Sequence, residues 1–278
     1  MKLGRLCACL FVVHAAFLGR AAVAQTVVPE AELRKLVGTQ TGELPIILSA
    51  PHGGNGDVPM TDLRKGEGIE KGPRGFVNGR DVGTEELCAD VAAALEVRLK
   101  KKPYFVISRF HRKYIDPNRP AEIAYEDPDA KPYYDFYHSS LATYCKEVQQ
   151  KYRRGLLLDL HGQASSKETV YRGTQNGKTV TLLRERFGEP AHMGPQSLFG
   201  TLNTLGWKTH PLDDGKEQAG FTGGFIVQTY GSHQGFGIDA IQLEFGADYR
   251  TPEVRKKTAS VLAEAVEAYR DRYLIEKP

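Results

Sequence analysis

The feature that most constrains the fold is a series of short apolar runs separated by amphipathic segments with helical spacing. Runs of five or six residues bounded by turn residues are typical of buried strands. The predicted strands are Pro45–Ser49, Tyr104–Ser108, Leu156–Leu160, Phe225–Thr229 and Ala240–Phe245. Strands that alternate with helices along a chain form a mostly parallel sheet covered by helices on both faces. The sequence therefore predicts an α/β fold.

Three segments between or after these runs have the periodicity of helices. Glu85–Leu99 is predicted as a helix with Thr84 as its N-cap, and Tyr134–Tyr152 as a second helix. The last helix is expected to begin with Thr251 as its cap and Pro252 in its first turn, a favoured pairing. In parallel sheets of this kind, ligands bind at the carboxyl ends of the strands. Reactive side chains at those ends are therefore candidates for a functional site.

The composition is that of a globular protein. Of the 278 residues, 41% are hydrophobic and 26% are charged, and cysteines number only 4. These proportions exclude a disordered chain, a collagen-like repeat and a small domain built on disulfides. No repeat or linker divides the chain after residue 24, so we expect one catalytic domain over residues 25–278.

Residues 1–24 have the pattern of a secretory signal peptide. Lys2 and Arg5 precede the apolar run Leu6–Leu18, and Ala22–Ala24 forms a small-x-small cleavage site. The apolar run is too short to span a bilayer comfortably and ends in Gly19-Arg20, so we favour cleavage over membrane anchoring. The expected product is periplasmic or secreted, and no later run is apolar enough to insert it in a membrane.

The formal net charge of +3 belongs wholly to this leader, which has three basic residues and no acidic one. The rest of the chain is charge-balanced, so we expect no nucleic-acid partner. Cys88 and Cys145 are the cysteines that follow the leader. They could pair in an oxidising compartment, or each could be a buried apolar side chain on a helix.

Polar residues lie where a ligand site is expected. His52 follows the first strand, His161 follows Leu156–Leu160, and Glu244 lies near the end of the last strand. Asp81 directly precedes the first long helix, where it could also act as a cap. Two imidazoles and one carboxylate form a three-ligand set for catalytic zinc. A further carboxylate can then act as a general base toward water.

Asp159 alternates with His161 along its strand, so it could orient that imidazole or pair with a buried arginine. Arg109 ends the second strand, and Asn118-Arg119 lies in the loop that follows. Arginine suits bidentate recognition of carboxylates and stabilisation of an oxyanion. A structural ion pair or a solvated surface position is the alternative interpretation, and at this edge of the sheet neither interpretation is favoured.

The chain resembles the N-formylglutamate amidohydrolase family in seven motifs that occur in the family's order. The motifs are S-A-P-H-G-G at Ser49–Gly54, G-R-D-V-G-T at Gly79–Thr84, S-R at Ser108-Arg109, D-P-N-R at Asp116–Arg119, L-L-L-D-L-H-G at Leu156–Gly162, F-T-G-G-F-I at Phe221–Ile226 and A-I-Q-L-E-F at Ala240–Phe245.

This resemblance implies a three-layer α/β/α sandwich with a mixed, mostly parallel sheet, similar to zinc carboxypeptidases. It implies a zinc-dependent amidohydrolase in which His52, Asp81 and His161 hold Zn²⁺ and Glu244 is the catalytic carboxylate. Glu85 and Glu86 remain alternatives to Asp81, because they lie one turn further along the helix.

The resemblance also implies how substrate is held. Asn118-Arg119 is similar to the pair that grips a substrate carboxylate, and Arg109 to an oxyanion stabiliser. Arg172, Gly223 and Gly224 are further candidates for substrate binding, whereas the roles of His111 and His233 stay open. The expected substrate is a small acidic N-acyl amino acid, such as N-formylglutamate, or a small acidic peptide.

Two departures leave the substrate open. The leader predicts export, although relatives that act in histidine breakdown are cytosolic, and Phe110–Ile115 is bulkier and more basic than the family's usual segment. A secreted cell-wall or peptide amidase is the first alternative. A non-catalytic periplasmic binding protein is the second, and Glu244 argues against it because a binder needs no general base.

Overall fold

The computed structural model describes residues 27–72, 75–212 and 215–275. Its centre is a seven-stranded sheet with the strand order β1-β3-β2-β4-β7-β5-β6. The strands are β1 (Val37–Gln40), β2 (Ile46–Ala50), β3 (Tyr104–Ser108), β4 (Leu156–Gly162), β5 (Thr169–Gly173), β6 (Lys208–His210) and β7 (Asp239–Phe245). β3, β2, β4 and β7 run parallel, as do β5 and β6, whereas the β1–β3 and β5–β7 pairs are antiparallel. The predicted α/β class with a mixed, mostly parallel sheet is confirmed.

Helices cover both faces of this sheet. They are α1 (Glu30–Leu36), α2 (Thr84–Leu99), α3 (Ala121–Ala124), α4 (Lys131–Tyr152), α5 (Thr181–Phe187), α6 (Pro190–Met193), α7 (Leu198–Thr204), α8 (Phe225–Tyr230) and α9 (Arg255–Tyr269). Because side chains alternate along a strand, Ile46 and Leu48 of β2 enter the core that contains α2 and α9. Ile47 enters the opposite core, which contains α4 and α8.

One predicted strand is wrong. Residues 225–229 lie in helix α8, where the Gln228 N–H donates to the Gly224 carbonyl. Strand β7 already has β4 and β5 as its two neighbours, so the apolar run has no free place beside it in the sheet. A short apolar run alone does not distinguish a buried strand from a buried helix.

Three helix starts also differ from the prediction, and one of them is that of α4, which begins at Lys131 rather than Tyr134. Thr84 is the first residue of α2 rather than its cap, and its hydroxyl donates to the Asp81 carbonyl. α9 begins at Arg255 rather than after Thr251, whose carbonyl accepts the N–H groups of Val254 and Arg255. Thr251 therefore belongs to a turn that leads into the helix.

The structure answers the question about the two cysteines. Cys88 of α2 and Cys145 of α4 are free thiols that lie in the two different cores. The sheet separates them, so they do not form a disulfide. Burial raises the pKa of both thiols, which fits small apolar core residues.

The predicted leader, residues 1–24, lies outside the described residues. Within the described ranges, no helix has both the length and the apolar character that crossing a membrane requires. The carboxyl ends of β2, β4 and β7 meet at one edge of the sheet because these strands are parallel neighbours. That edge carries the candidate site.

Candidate metal centre

Three parallel strands bring the predicted site residues together. His52 lies in the loop just after β2, His161 lies on β4, and Glu244 is paired in register with His161 on β7. Asp81 comes from the loop before α2, where its N–H donates to the His52 carbonyl at 2.9 Å. His52 and His161 are fully buried, and Asp81 keeps a side-chain exposure of only 10%.

The three ligand atoms have the spacing that a small metal ion needs. The Nδ1 atoms of His52 and His161 lie 3.1 Å apart, and Asp81 Oδ2 lies 3.4 Å from each of them. Tetrahedral zinc with bonds of about 2.0–2.1 Å places its ligand atoms about 3.3 Å apart. Glu85 instead lies 3.9 Å from Arg109. The geometry therefore favours Asp81 as the acidic ligand.

Each imidazole is oriented by a buried carboxylate on its other nitrogen. His52 Nε2 lies 2.7 Å from Asp116 Oδ1, and His161 Nε2 lies 2.8 Å from Asp159 Oδ2. A histidine that donates one N–H to a carboxylate presents its other nitrogen as a fixed ligand. Of its two sequence interpretations, Asp159 therefore contacts the His161 imidazole and not a buried arginine.

The charges of the cluster also favour a bound cation. Burial alone would raise the pKa of Asp81, but its contacts with both histidines lower it. Burial alone would lower the pKa of His161, but the carboxylates of Asp159 and Asp81 raise it well above its ordinary value. Four buried or largely buried carboxylates surround two imidazoles, and a divalent cation held by this set would offset much of their charge.

Glu244 lies next to His161 in the sheet but is not one of the three candidate metal ligands. Burial is the main cause that raises its pKa to about 7, and the Asp81 and Asp159 carboxylates add to this effect. Gln242 donates from Nε2 to Glu244 Oε1 at 2.8 Å. A carboxylate whose pKa lies near neutrality is suited to general base catalysis.

Arg112 is a functional candidate that sequence reasoning missed. It is buried against the cleft, and its Nε and Nη2 lie 2.9 Å and 2.8 Å from Asp116 Oδ2. Arg112 therefore supports His52 through Asp116. The two residues are four apart in sequence but lie in a loop and not on a helix, so no helical spacing signals the pair.

Arg109 does not reach this site. Its side chain is 48% exposed, packs over Gly38 and lies 3.9 Å from Glu85. The expected oxyanion role is therefore corrected, because Arg112 rather than Arg109 lines the cleft. The S-R motif places Arg109 directly after β3, but its half-exposed side chain lies outside the cleft.

The predicted substrate-binding pair lies in the cleft, but its contacts are partly structural. Asn118 Oδ1 accepts the Ile226 N–H at 2.9 Å and so holds the start of α8. Arg119 donates to the carbonyls of Gly75 and Asn118. Both residues are nearly buried and line the cavity.

Arg172 is not part of the cleft. It is buried, lies 3.3 Å from Glu217 Oε1 and donates to the His192 carbonyl. Its predicted role in substrate binding is corrected to a structural ion pair. Glu217 also accepts N–H groups of Thr174 and Asn176, so this pair fixes the segment that leads into the next cleft wall.

The glycine motif forms that wall. Gly223 has a φ of +106°, a conformation that favours glycine, and a Cβ on Gly224 would lie 2.2 Å from the Asn118 side chain. Gln175, also missed in the sequence, donates from Nε2 to the Gly223 carbonyl at 2.6 Å. Both glycines line the cleft, as expected of substrate-binding candidates.

The cleft has a volume of about 610 Å³. Its walls combine charged groups at the His52–Asp81–His161 cluster with apolar side chains that include Ile123, Phe221 and Phe225. His111 and His233 are not among the residues that line it, and His111 Nδ1 accepts the Lys113 N–H.

No protein-family model matches the sequence, and no curated protein matches it significantly. Solved structures do match. N-formylglutamate amidohydrolase from Ralstonia eutropha JMP134 superimposes with a TM-score of 0.55 and 15% identity, covering 85% of this chain and 99% of that one. A gene product of Agrobacterium tumefaciens gives a TM-score of 0.56 and 14% identity, with coverages of 87% and 97%. The chain therefore shares the fold of an N-formylglutamate amidohydrolase.

Proposed function

We propose that this protein is a metal-dependent hydrolase that cleaves the amide bond of a small acidic N-acyl amino acid or peptide. The observation that carries the proposal is the buried cluster of His52, Asp81 and His161 with Glu244 beside it. The fold shared with an N-formylglutamate amidohydrolase supports the same reaction class. Two nitrogen ligands and one oxygen ligand favour zinc among the common metals.

A zinc ion held by this cluster would polarise the amide carbonyl and lower the pKa of a water molecule. Glu244 would take a proton from that water as it attacks the carbonyl carbon. The same carboxyl group can then return the proton to the departing amine nitrogen, so that one residue acts first as base and then as acid. A pKa near 7 suits both steps.

The buried arginines supply the positive side of the cleft. Arg112 is held by Asp116 through Nε and Nη2, and its Nη1 has no hydrogen bond among the described residues. That N–H group is the one we assign to the developing oxyanion or to a substrate carboxylate. Arg119 adds positive charge nearby, which favours an acidic substrate.

A secreted peptide or cell-wall amidase is the second candidate. A cleft of about 610 Å³ has the size that encloses a drug-sized ligand, and a formylated amino acid would leave part of it unfilled. The export predicted from the leader favours the same class of substrate.

The test combines metal analysis with hydrolysis assays on the purified protein. We expect one zinc per chain, lost in His161→Ala, and turnover of at least one substrate among N-formyl and N-acyl glutamates, muropeptides and γ-glutamyl peptides. Glu244→Gln should reduce kcat by more than about a hundredfold while zinc stays bound. Absence of metal from the native protein, or a Glu244→Gln variant with most of its activity, would refute the proposal.

A further inference from the structure

Gln242 occupies an unusual position for an amide side chain. It lies on β7, an interior strand of the sheet, is only 3% exposed, and shares a face of the strand with Glu244 two residues later. A buried amide is costly unless its donors and acceptor are used. An apolar residue would fill this core position without that cost, so the amide needs an explanation from its contacts.

Both ends of the amide are used, and by different elements. Nε2 donates to Glu244 Oε1 at 2.8 Å, whereas Oε1 accepts the Gly224 N–H at 2.7 Å. The opposite orientation of the amide would place oxygen against oxygen and N–H against N–H. The two contacts therefore fix the side chain in a single orientation.

The loop at Gly224 is a wall of the cleft, and β5 and the turn after it supply further attachments for it. Gln175 donates from its backbone N–H to the Thr222 carbonyl and from Nε2 to the Gly223 carbonyl, both at 2.6 Å. A Cβ on Gly173 would lie 2.5 Å from the Gly223 nitrogen, so the loop rests directly on the sheet. Gln242 is the residue that joins this wall to Glu244.

Gln242 also makes the two carboxylate oxygens of Glu244 differ in their hydrogen bonding. Oε1 accepts from Gln242, whereas Oε2 makes no hydrogen bond within the described ranges. One oxygen is therefore held and the other is left for proton transfer. A carboxylate fixed in this way acts on its substrate without first losing rotational freedom.

We propose that Gln242 is a positioning residue that holds the Glu244 carboxylate in its reactive orientation and ties that orientation to the substrate-facing loop at Gly224. This inference rests on the proposed function insofar as Glu244 is the general base. Its consequence is that the base and the wall that contacts substrate move together.

The test compares Gln242→Met with Gln175→Met. Both remove a side-chain bond to the loop, but only the first also releases Glu244. We expect Gln242→Met to lower kcat about 10- to 100-fold with KM changed less than about threefold. Gln175→Met should act mainly on KM. A Gln242→Met enzyme with kcat within twofold of the native value, or with the same kinetic pattern as Gln175→Met, would overturn the inference.

Folding is checked by Tm and bound zinc. If Gln242→Met does not fold, Gln242→Leu serves, because it removes the same donor to Glu244 without adding a second carboxyl group beside it. It should also lose at least tenfold in kcat, and native kcat in this variant contradicts the proposal.

Crystal structures of the native protein and Gln242→Met give a readout that needs no activity. The Glu244 carboxylate should occupy one position in the native protein and a changed or multiple position in the variant. If the native enzyme hydrolyses none of the substrates, the proposed function fails and these structures alone decide the positioning role. An unmoved Glu244 would then refute it.

Discussion

Replacing Asp159 by Asn tests how much of the zinc affinity that we propose comes from the carboxylates behind the imidazoles. Asp159 is fully buried, and its Oδ2 lies 2.8 Å from His161 Nε2. Its Oδ1 has no hydrogen-bond partner among the described residues, so His161 is its one polar contact there. The substitution keeps the shape and an acceptor oxygen but removes the charge. Asp116 is a less clean choice because it also holds Arg112.

The expected loss can be stated from the geometry. Loss of a carboxylate that accepts a hydrogen bond from a metal-bound histidine lowers metal affinity 10- to 100-fold, which corresponds to about 1.4–2.7 kcal/mol of binding free energy. With zinc in large excess, the stabilisation that zinc gives to the folded protein falls by the same amount. For a domain of this size, the zinc-induced rise in Tm should be smaller by about 3–10 °C.

Zinc affinity is measured by competition with a chromophoric chelator, and Tm by calorimetry with and without zinc. Asp90→Asn is the matched control, since it makes the same chemical change at an ion pair with Arg255 between α2 and α9. That control should bind zinc like the native protein. An Asp159→Asn variant with a zinc Kd within twofold of the native value would show that the carboxylate does not tune His161.

Two further predictions concern residues outside the metal cluster or at its border. Burial raises the pKa of Asp239 to about 6, above its ordinary value of 3.8, so the folded state favours the protonated form. The stability that this group contributes is therefore present below pH 4 and lost as the pH rises to about 6. Between those pH values, the free energy of unfolding of Asp239→Asn should rise by up to about 3 kcal/mol relative to that of the native protein. Urea unfolding at pH 4 and pH 7 measures the free energy of unfolding of the native protein and the variant. An equal difference between the two proteins at both pH values would contradict the prediction. Arg109→Ala should change kcat/KM less than about threefold, whereas Arg112→Lys should lower it at least tenfold, because lysine cannot hold Asp116 in a bidentate contact. The reverse ranking would restore Arg109 to the site.

Much of the fold could be predicted because its central strands are short, apolar and bounded by turns. Four of the five predicted strands form at nearly the expected residues, and β3 matches at both ends. Strands β1, β5 and β6 were missed: β1 and β6 form the two edges of the sheet and β5 lies next to β6. All three are more polar than the strands that were predicted, and their pairing depends on neighbours distant in sequence. Residues 225–229 were assigned to the wrong element because local apolarity does not specify whether a place beside the sheet is free.

The sequence by itself determined which residues could form the centre: two histidines, an aspartate and a glutamate at the ends of predicted strands or before a helix. Parallel neighbouring strands must end at the same edge, so local pattern was enough to bring them together. Only the tertiary structure decided which arginine faces the cleft, which acid lies within 3.4 Å of both imidazoles, and which carboxylates stand behind them. Those choices depend on side-chain direction and on contacts between segments far apart in the chain, such as Asp116 with His52 and Gln242 with Gly224. The spacing of residues along the sequence does not encode them.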